Sequence, residues 1–292
     1  EHLMRWDSPW SVGFPGWHLE CSAMSSKYLG KKFDIHGGGN DLKFPHHENE
    51  IAQSMGACGE SPAKYWLHTN MLLLNGKKMS KSEGNTISPE ELFTGKSKHI
   101  TKAYSPMTIK FFFLQAHYRS PLDITDEALQ GAEKGFKRLM DAMRNLDLIN
   151  ESELSREFSP KNKEIESLLE NCQLHMDDDF GVPNALASIF EMVSIINALK
   201  DGHIRYDEIN SENWKKMKNQ IKIFIYNIFG LKNDLSMESS KTVENLMELI
   251  LFLRSDVRNR KDWTNADKIR EALNESGILV KDGKNGTEWS FQ

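Results

Sequence analysis

The hydrophobic pattern changes period near Thr125, and that change divides what the chain can fold into. Beyond it, apolar residues recur at three- and four-residue spacing, as in Ile189, Val193 and Ile196, which places them on one face of a helix. The spacing predicts helices over 125–148, 160–176, 182–201 and 208–229, whose apolar stripes can bury one another in a helical bundle. Before Thr125, short apolar runs at 33–35 and 71–74 alternate with Gly-rich turns and helical stretches, the pattern of an α/β sheet domain with ligand loops. Pro45 opens a helix running to about Met55, where its missing N–H costs nothing. Residues 76–120 hold a Gly-flanked loop and a connector with the apolar run 109–114. A polar stretch at 233–241 reads as a linker, followed by helices over about 242–260 and 265–275. Thr264 with Asp267 three residues on has the form of a capping box, Gly277 stops the second helix, and the tail from Ile278 to Trp289 predicts a small hairpin.

The 292 residues, 39% of them hydrophobic, suit two or three domains. No apolar run approaches the roughly 20 residues of a membrane span and no signal peptide is recognisable, so the expectation is a cytoplasmic chain without a membrane partner. Three scattered cysteines, Cys21, Cys58 and Cys172, argue against a disulfide framework and for a reducing compartment. The net charge of −5 is the wrong sign for a global field that attracts nucleic acid, yet it is unevenly spread. Residues 1–120 carry 14 basic against 11 acidic side chains, and residues 121–240 carry 14 against 22. Contact with RNA therefore has to come from local patches.

Most residues suited to chemistry lie in the first 90 positions. Residues 78–82 read K-M-S-K-S between Gly76 and Gly84. The ammonium groups of Lys78 and Lys81, with the hydroxyls of Ser80 and Ser82, can close over a polyphosphate and neutralise charge as pyrophosphate leaves. A solvated lysine-rich turn has the same composition. His46 and Glu50 are four apart on one helix face, with Cys21 upstream. All three are competent zinc ligands, although an H-x-x-x-E pair also suits a surface ion pair and a lone cysteine a small buried hydrophobe. His47 sits about 100° around the helix and is assigned to the shell or to packing. The run Gly37-Gly38-Gly39-Asn40-Asp41 lets backbone approach a ligand, and a carboxylate there can hold a ribose hydroxyl or an ammonium group. Further on, Arg254, Arg258 and Lys261 are spaced by four and three, as for one helix face that tracks phosphates, or a plain solvated face shared with Asp256 and Asp262. Trp263 and Trp289 can stack on unpaired bases or form a small core.

In chain order, PGWHLECSAM at 15–24, FDIHGGGND at 33–41, FPHHENEIAQS at 44–54 and KMSKS at 78–82 closely resemble the cysteinyl-tRNA synthetases, a class I aminoacyl-tRNA synthetase family. HYRSPLD at 117–123, MDDDFGVPNAL at 176–186 and the segment 261–289 extend the resemblance over nearly the whole chain. The fold it implies is α/β followed by all-α. Residues 1–75 would be the C-terminal half of a Rossmann-type catalytic domain, 76–120 the loop and connector, 121–232 a helical bundle beside the tRNA stem, and 241–292 a small anticodon-binding module. The implied reaction is ATP-dependent activation of L-cysteine and its transfer to tRNA(Cys), with Mg2+ accompanying ATP.

The resemblance also assigns residues. Cys21, His46 and Glu50 would hold one zinc ion with a fourth ligand outside this sequence. Lys78 and Lys81 would be catalytic, with Lys81, Gly39, Asp41, Ser80 and Ser82 around the adenylate. Trp17 and His36, beside His18, would line the amino-acid pocket; their alternatives are core packing for Trp17 and a satisfied structural histidine for His36. Arg254, Arg258, Lys261 and Trp263 would touch tRNA, and the assembly would be a monomer. Zinc suits such an enzyme because an apolar pocket separates cysteine poorly from serine, whereas a borderline-soft ion binds thiolate and not hydroxyl. The family's nucleotide-binding half, with its His-x-Gly-His-like motif, has no counterpart here, so these residues alone are expected not to activate cysteine. Two other readings share some features. A ligase joining cysteine to a small amino-sugar needs no anticodon module, and a non-catalytic tRNA-binding fragment forms no adenylate.

Overall fold

The structure is a computed structural model that describes residues 3–157, 159–283 and 286–291. The chain forms two compact units, residues 1–232 and 233–292.

In the first unit, strand β1 (Phe33–Gly39) pairs in parallel with β2 (Ala63–Thr69), placing His36 opposite Trp66 and Gly38 opposite His68. The crossover between these parallel strands carries helix α2 (Glu48–Cys58), against which α1 (Trp17–Tyr28) packs. The helix expected from Pro45 instead begins at Glu48. A wide turn over Lys43–His47 precedes it, because Phe44 stays extended at φ −137°, ψ 134°, as a residue before proline prefers. A second sheet has the order β4-β3-β5, with β3 (Leu72–Leu74) flanked by antiparallel β4 (Lys77–Lys78) and parallel β5 (Leu122–Ile124). Two short helices lie between them, α3 (Pro89–Thr94) and α4 (Pro106–Leu114). Each has proline in its first turn and a serine cap, Ser88 and Ser105, whose hydroxyl accepts a backbone N–H of that turn.

The expected bundle is present as α5 (Asp126–Leu148), α6 (Pro160–Asp177), α7 (Val182–Lys200) and α8 (Ser211–Lys222), the last continuing as a wide turn to Ile228. Thr125 caps α5 by accepting from the Ala128 N–H. Fully buried side chains from all four helices, among them Phe136, Ile165, Ile189 and Trp214, form the core. Helix α7 has the length and apolar composition of a membrane span, which no apolar run in the sequence suggested. Its Ile189, Met192, Val193 and Ile196 are nonetheless fully buried in the bundle, so it is a core helix. At the α6–α7 junction Asp179 and Phe180 both adopt left-handed backbone, with φ of 52° and 55°. Arg119 Nε lies 2.6 Å from the Asp179 carboxylate and the Tyr118 hydroxyl donates to it at 2.6 Å, tying this junction to the segment before β5.

The second unit holds α9 (Leu235–Asn259), α10 (Trp263–Glu275) and the antiparallel hairpin of β6 (Ile278–Gly283) and β7 (Gly286–Phe291). Turn residues 284–285 of the expected hairpin lie outside the described residues. The stretch 233–241, expected as a linker, is helical from Leu235. It contains no glycine or proline, and its Ser and Glu residues cost a helix little. The cap of α10 is Asp262, which accepts from the Asn265 N–H, rather than Thr264. Gly277 follows the helix at φ 78°, as expected of a C-terminal stop.

Candidate active site and metal centre

Glu50 is the centre of the first constellation. It lies on the first turn of α2, is 1% exposed, and receives two imidazoles from different elements. His46 Nε2 is 3.1 Å from one carboxylate oxygen, one helical turn back. His36 Nε2, from β1, is 3.1 and 3.3 Å from the two oxygens. Cys21, half-buried on α1, completes a set in which the Cys21, His46 and Glu50 ligand atoms all lie within 4.8 Å of one another. A second such set, His36, His47 and Glu50, shares the same carboxylate. A carboxylate this deeply buried requires positive charge or several hydrogen bonds. Two imidazoles supply bonds, and a cation between them and the thiol would supply the charge. The sulfur, nitrogen and oxygen donors match what zinc takes, so the residues present fit that ion with three of its usual four ligands. Burial pushes the Cys21 thiol up, and the Glu50 and Glu20 carboxylates push it further; a bound dication would act the other way.

Around this centre lies an aromatic shell. The Trp17 ring sits 4.5 Å from that of His46 and is 62% exposed within this chain. His18 is 6.1 Å from His46, edge-on. His47 is 3% exposed, and its Nδ1 is 2.8 Å from His68 Nε2 on β2. Burial, with the neighbouring imidazoles of His36, His68 and His46, lowers His47 despite the opposing pull of Glu50. Burial and the nearby Lys43, His36 and Arg119 lower His68. The lowering favours the neutral form of each ring, in which an N–H on one can be donated to the bare nitrogen of the other. Trp66 packs edge-on against His36 at 4.8 Å and tilted against His47 at 5.0 Å. Trp66 and His68 were not singled out from the sequence. Their i, i+2 spacing in the strand-like AKYWLHT was the available signal, because it puts both on one sheet face.

The glycine run ends β1. A Cβ on Gly38 would lie 2.8 Å from His47 Cε1, so this glycine makes room for the buried ring. Gly39 is half-buried beside Asp41, whose carboxylate occupies the space a Cβ there would need; Asp41 itself is exposed in the short turn Asn40–Leu42.

The K-M-S-K-S segment leaves a separate sheet. Leu74 pairs with Lys77, so Asn75 and Gly76 form a two-residue hairpin loop with φ of 51° and 75°. That is the Asn-Gly turn whose twist matches paired strands, a hairpin signal the sequence reading passed over. Lys78 lies at the end of β4, and Ser80 bridges Asn85 to close the loop. The Ser80 and Ser82 hydroxyls are 2.8 Å apart. Lys77, Lys78, Met79, Ser80 and Glu83 line an open recess of about 500 Å³, while Lys81 and Ser82 are exposed outside it. Neither Lys78 nor Lys81 has an ion-pair partner among the described residues.

The expected basic stripe is not formed. Arg254 is 3% exposed, Arg258 is half-buried, and α9 ends at Asn259, leaving Lys261 beyond the helix at φ 63°. Arg260 is paired with Asp256 at 2.7 Å. Trp263 is 57% exposed at the start of α10, and Trp289 is half-buried in β7. A different basic surface lies on the bundle. An open groove of about 770 Å³ beside α5 and α7 is lined by Lys134, Lys137, Arg138, Arg144 and Lys200, against the acids Asp141 and Asp201.

Residues 1–134 match the model of the tRNA synthetases class I (C) catalytic domain, residues 173–233 that of the DALR domain, and residues 248–289 that of the cysteinyl-tRNA ligase anticodon binding domain. The chain is 44% identical over its whole length to a cysteine–tRNA ligase of Porphyromonas gingivalis. The chain belongs to the cysteine–tRNA ligase family. It is 45% identical to the enzyme of that name from Parabacteroides distasonis, again over its full length, and 39% identical over 99% of its length to that of Deinococcus radiodurans. It spans about 58% of the length of the first two relatives and 57% of the third. Among solved structures, the LeuRS of Agrobacterium radiobacter K84, in a ternary complex with tRNA and LeuAMS, superposes with a TM-score of 0.51 at 14% identity over 80% of this chain and 35% of that one, a likeness of fold alone. The architecture of this family member is a class I catalytic region followed by helical tRNA-synthetase domains.

Proposed function

We propose that this chain is the part of a cytoplasmic, monomeric cysteine–tRNA ligase that selects cysteine, discharges pyrophosphate and engages tRNA(Cys). The observation that carries the reading is the meeting of Cys21, His46 and Glu50 within 4.8 Å, next to an exposed aromatic ring, in a chain that also carries K-M-S-K-S. Cys21, His46 and Glu50 would hold a zinc ion with one further ligand. When bound, zinc supplies a soft centre that takes the substrate thiolate and rejects the serine hydroxyl. Trp17 covers the amino acid over His46, and His36 keeps the Glu50 carboxylate oriented. Gly39 and Asp41 face the ribose of ATP, which enters with Mg2+. Carboxylate attack on the α-phosphate needs alignment and charge neutralisation rather than a base, and Lys78 and Lys81 supply the charge, with Ser80 and Ser82 as hydrogen-bond donors. The basic groove beside α5 and α7 replaces the broken Arg254 stripe as the phosphate-tracking surface, and Trp263, exposed at the start of α10 within the anticodon-binding match, is the candidate base-stacking side chain. That matched module separates this reading from an amino-sugar ligase, which has no anticodon to read.

Elemental analysis of the whole protein tests the centre. About one zinc per chain is expected, and its loss in a Cys21→Ala, His46→Ala double variant. Undiminished zinc in that variant would remove the assignment.

A further inference from the structure

The hairpin that launches K-M-S-K-S is slight. Strand β4 has two residues, and only two residue pairs join it to β3. Isolated hairpins of this size do not hold their own orientation in water. Something else must determine where Lys78 and Lys81 point. The neighbouring strand β5 supplies it through two consecutive residues. The Ile124 carbonyl accepts from the Asn75 N–H at 3.1 Å, and the Asp123 carboxylate accepts from the Gly76 N–H with both oxygens, at 2.9 and 2.8 Å. Asp123 lies opposite Leu73 in the parallel register, so its side chain reaches along the sheet past the end of β3 to the turn.

Two features mark this contact as more than incidental. The amide at the second position of a two-residue hairpin loop has no partner in the ladder and is ordinarily left to water. Here it meets a full negative charge, in a bond roughly twice as strong as a neutral one. Aspartate is also depleted in strands, yet it sits mid-strand in a three-residue β5 between half-buried Leu122 and buried Ile124. We propose that Asp123 is a positioning residue for the lysine loop: its carboxylate clamps Gly76 and so sets the approach of Lys78 and Lys81 to the pyrophosphate. The proposal rests on the loop acting in adenylate formation. Asp123 touches neither substrate nor reacting atoms, so its effect passes through the lysines.

The experiment uses the whole protein and three variants, Asp123→Ala, Asp123→Asn and Lys81→Ala. Two quantities are measured: backbone hydrogen exchange of residues 72–86, and kcat and KM in cysteine-dependent ATP–pyrophosphate exchange. In Asp123→Ala, the amides of 76–82 should exchange at least tenfold faster while those of 72–74 keep their protection. Its kcat should fall 10- to 100-fold with KM for cysteine changed less than about twofold. Asp123→Asn keeps an acceptor for the single Gly76 donor and should stay within about threefold of the native enzyme in both measurements, which also guards against a folding defect in the alanine variant. Native-like exchange at 76–82 in Asp123→Ala overturns the clamp. Faster exchange there with an unchanged kcat overturns the positioning role, provided Lys81→Ala lowers kcat. If Lys81→Ala also leaves kcat unchanged, the catalytic reading of the loop fails, and the exchange data alone decide whether Asp123 positions it.

Discussion

Replacing Gly38 with alanine isolates one steric demand of the site. The added Cβ would lie 2.8 Å from His47 Cε1, 3.0 Å from Leu42 Cδ1 and 3.2 Å from His47 Nε2. His47 cannot swing away easily, since it is 3% exposed and bonded to His68 at 2.8 Å. Overpacking of this kind costs about 1–3 kcal/mol, and a lost hydrogen bond adds about 1 kcal/mol. Against that, alanine narrows the unfolded ensemble by about 0.4–1 kcal/mol. The net loss is about 2 kcal/mol, or roughly 4–8 °C in midpoint for a unit of this size. Gly37→Ala is the matched control. Its Cβ would meet only the Leu67 carbonyl at 3.6 Å, an ordinary contact, so its midpoint should stay within about 2 °C of the native one. Thermal unfolding followed by circular dichroism compares the two, and zinc retained against a chelator should fall in Gly38→Ala alone, because His47 neighbours Glu50. Equal midpoints for the two variants would refute the steric argument.

Two further outcomes are expected. Burial alone would raise the Asp126 carboxyl, but hydrogen bonds from Tyr104, Thr101 and Gln130 bring it down to about 2 from its ordinary 3.8. Its contribution to stability is therefore complete above about pH 4 and is lost as pH falls through 2. Asp126→Asn should lower the thermal midpoint at pH 7 and much less at pH 2; equal losses would contradict the linkage. In the groove, Lys134→Glu with Lys137→Glu should weaken tRNA binding by at least tenfold at low salt and reduce the slope of log affinity against log salt by about 2. An unchanged slope in a salt titration would exclude the groove as a phosphate contact.

Long helices were the most legible part of the fold. The expected 160–176 and 182–201 differ by one residue from α6 and α7, because periodic burial repeated over many turns averages out local noise. Helix ends were less legible. Carrying the 3.6-residue period through Lys261 produced a basic face, but the helix stops at Asn259, and the residue at the matching angle, Arg254, points into packing. Spacing alone could not say which side of that helix is wet. The grouping of Cys21, His46 and Glu50 was implied by the resemblance, and the structure brings their ligand atoms within 4.8 Å of one another; spacing alone joined only His46 and Glu50. The shell of Trp66 and His68 was not legible, because it depends on strand register between segments some 30 positions apart. Asp123 escaped notice for the same reason, as its partner Gly76 is 47 positions away.

That separation bears on the order in which the molecule matures. Within the bundle only α6 and α7 join near neighbours in the chain, whereas α5 meets α7 and α6 meets α8 across an intervening helix. The sheet beneath the lysine loop closes over a similar span, since Leu72 must find Leu122 after the intervening residues have been made and arranged. Loop closure of that length is paid for only once β5 docks. Until β5 docks the loop is unmoored, so the two lysines acquire their orientation from a strand that the chain supplies some forty residues after them.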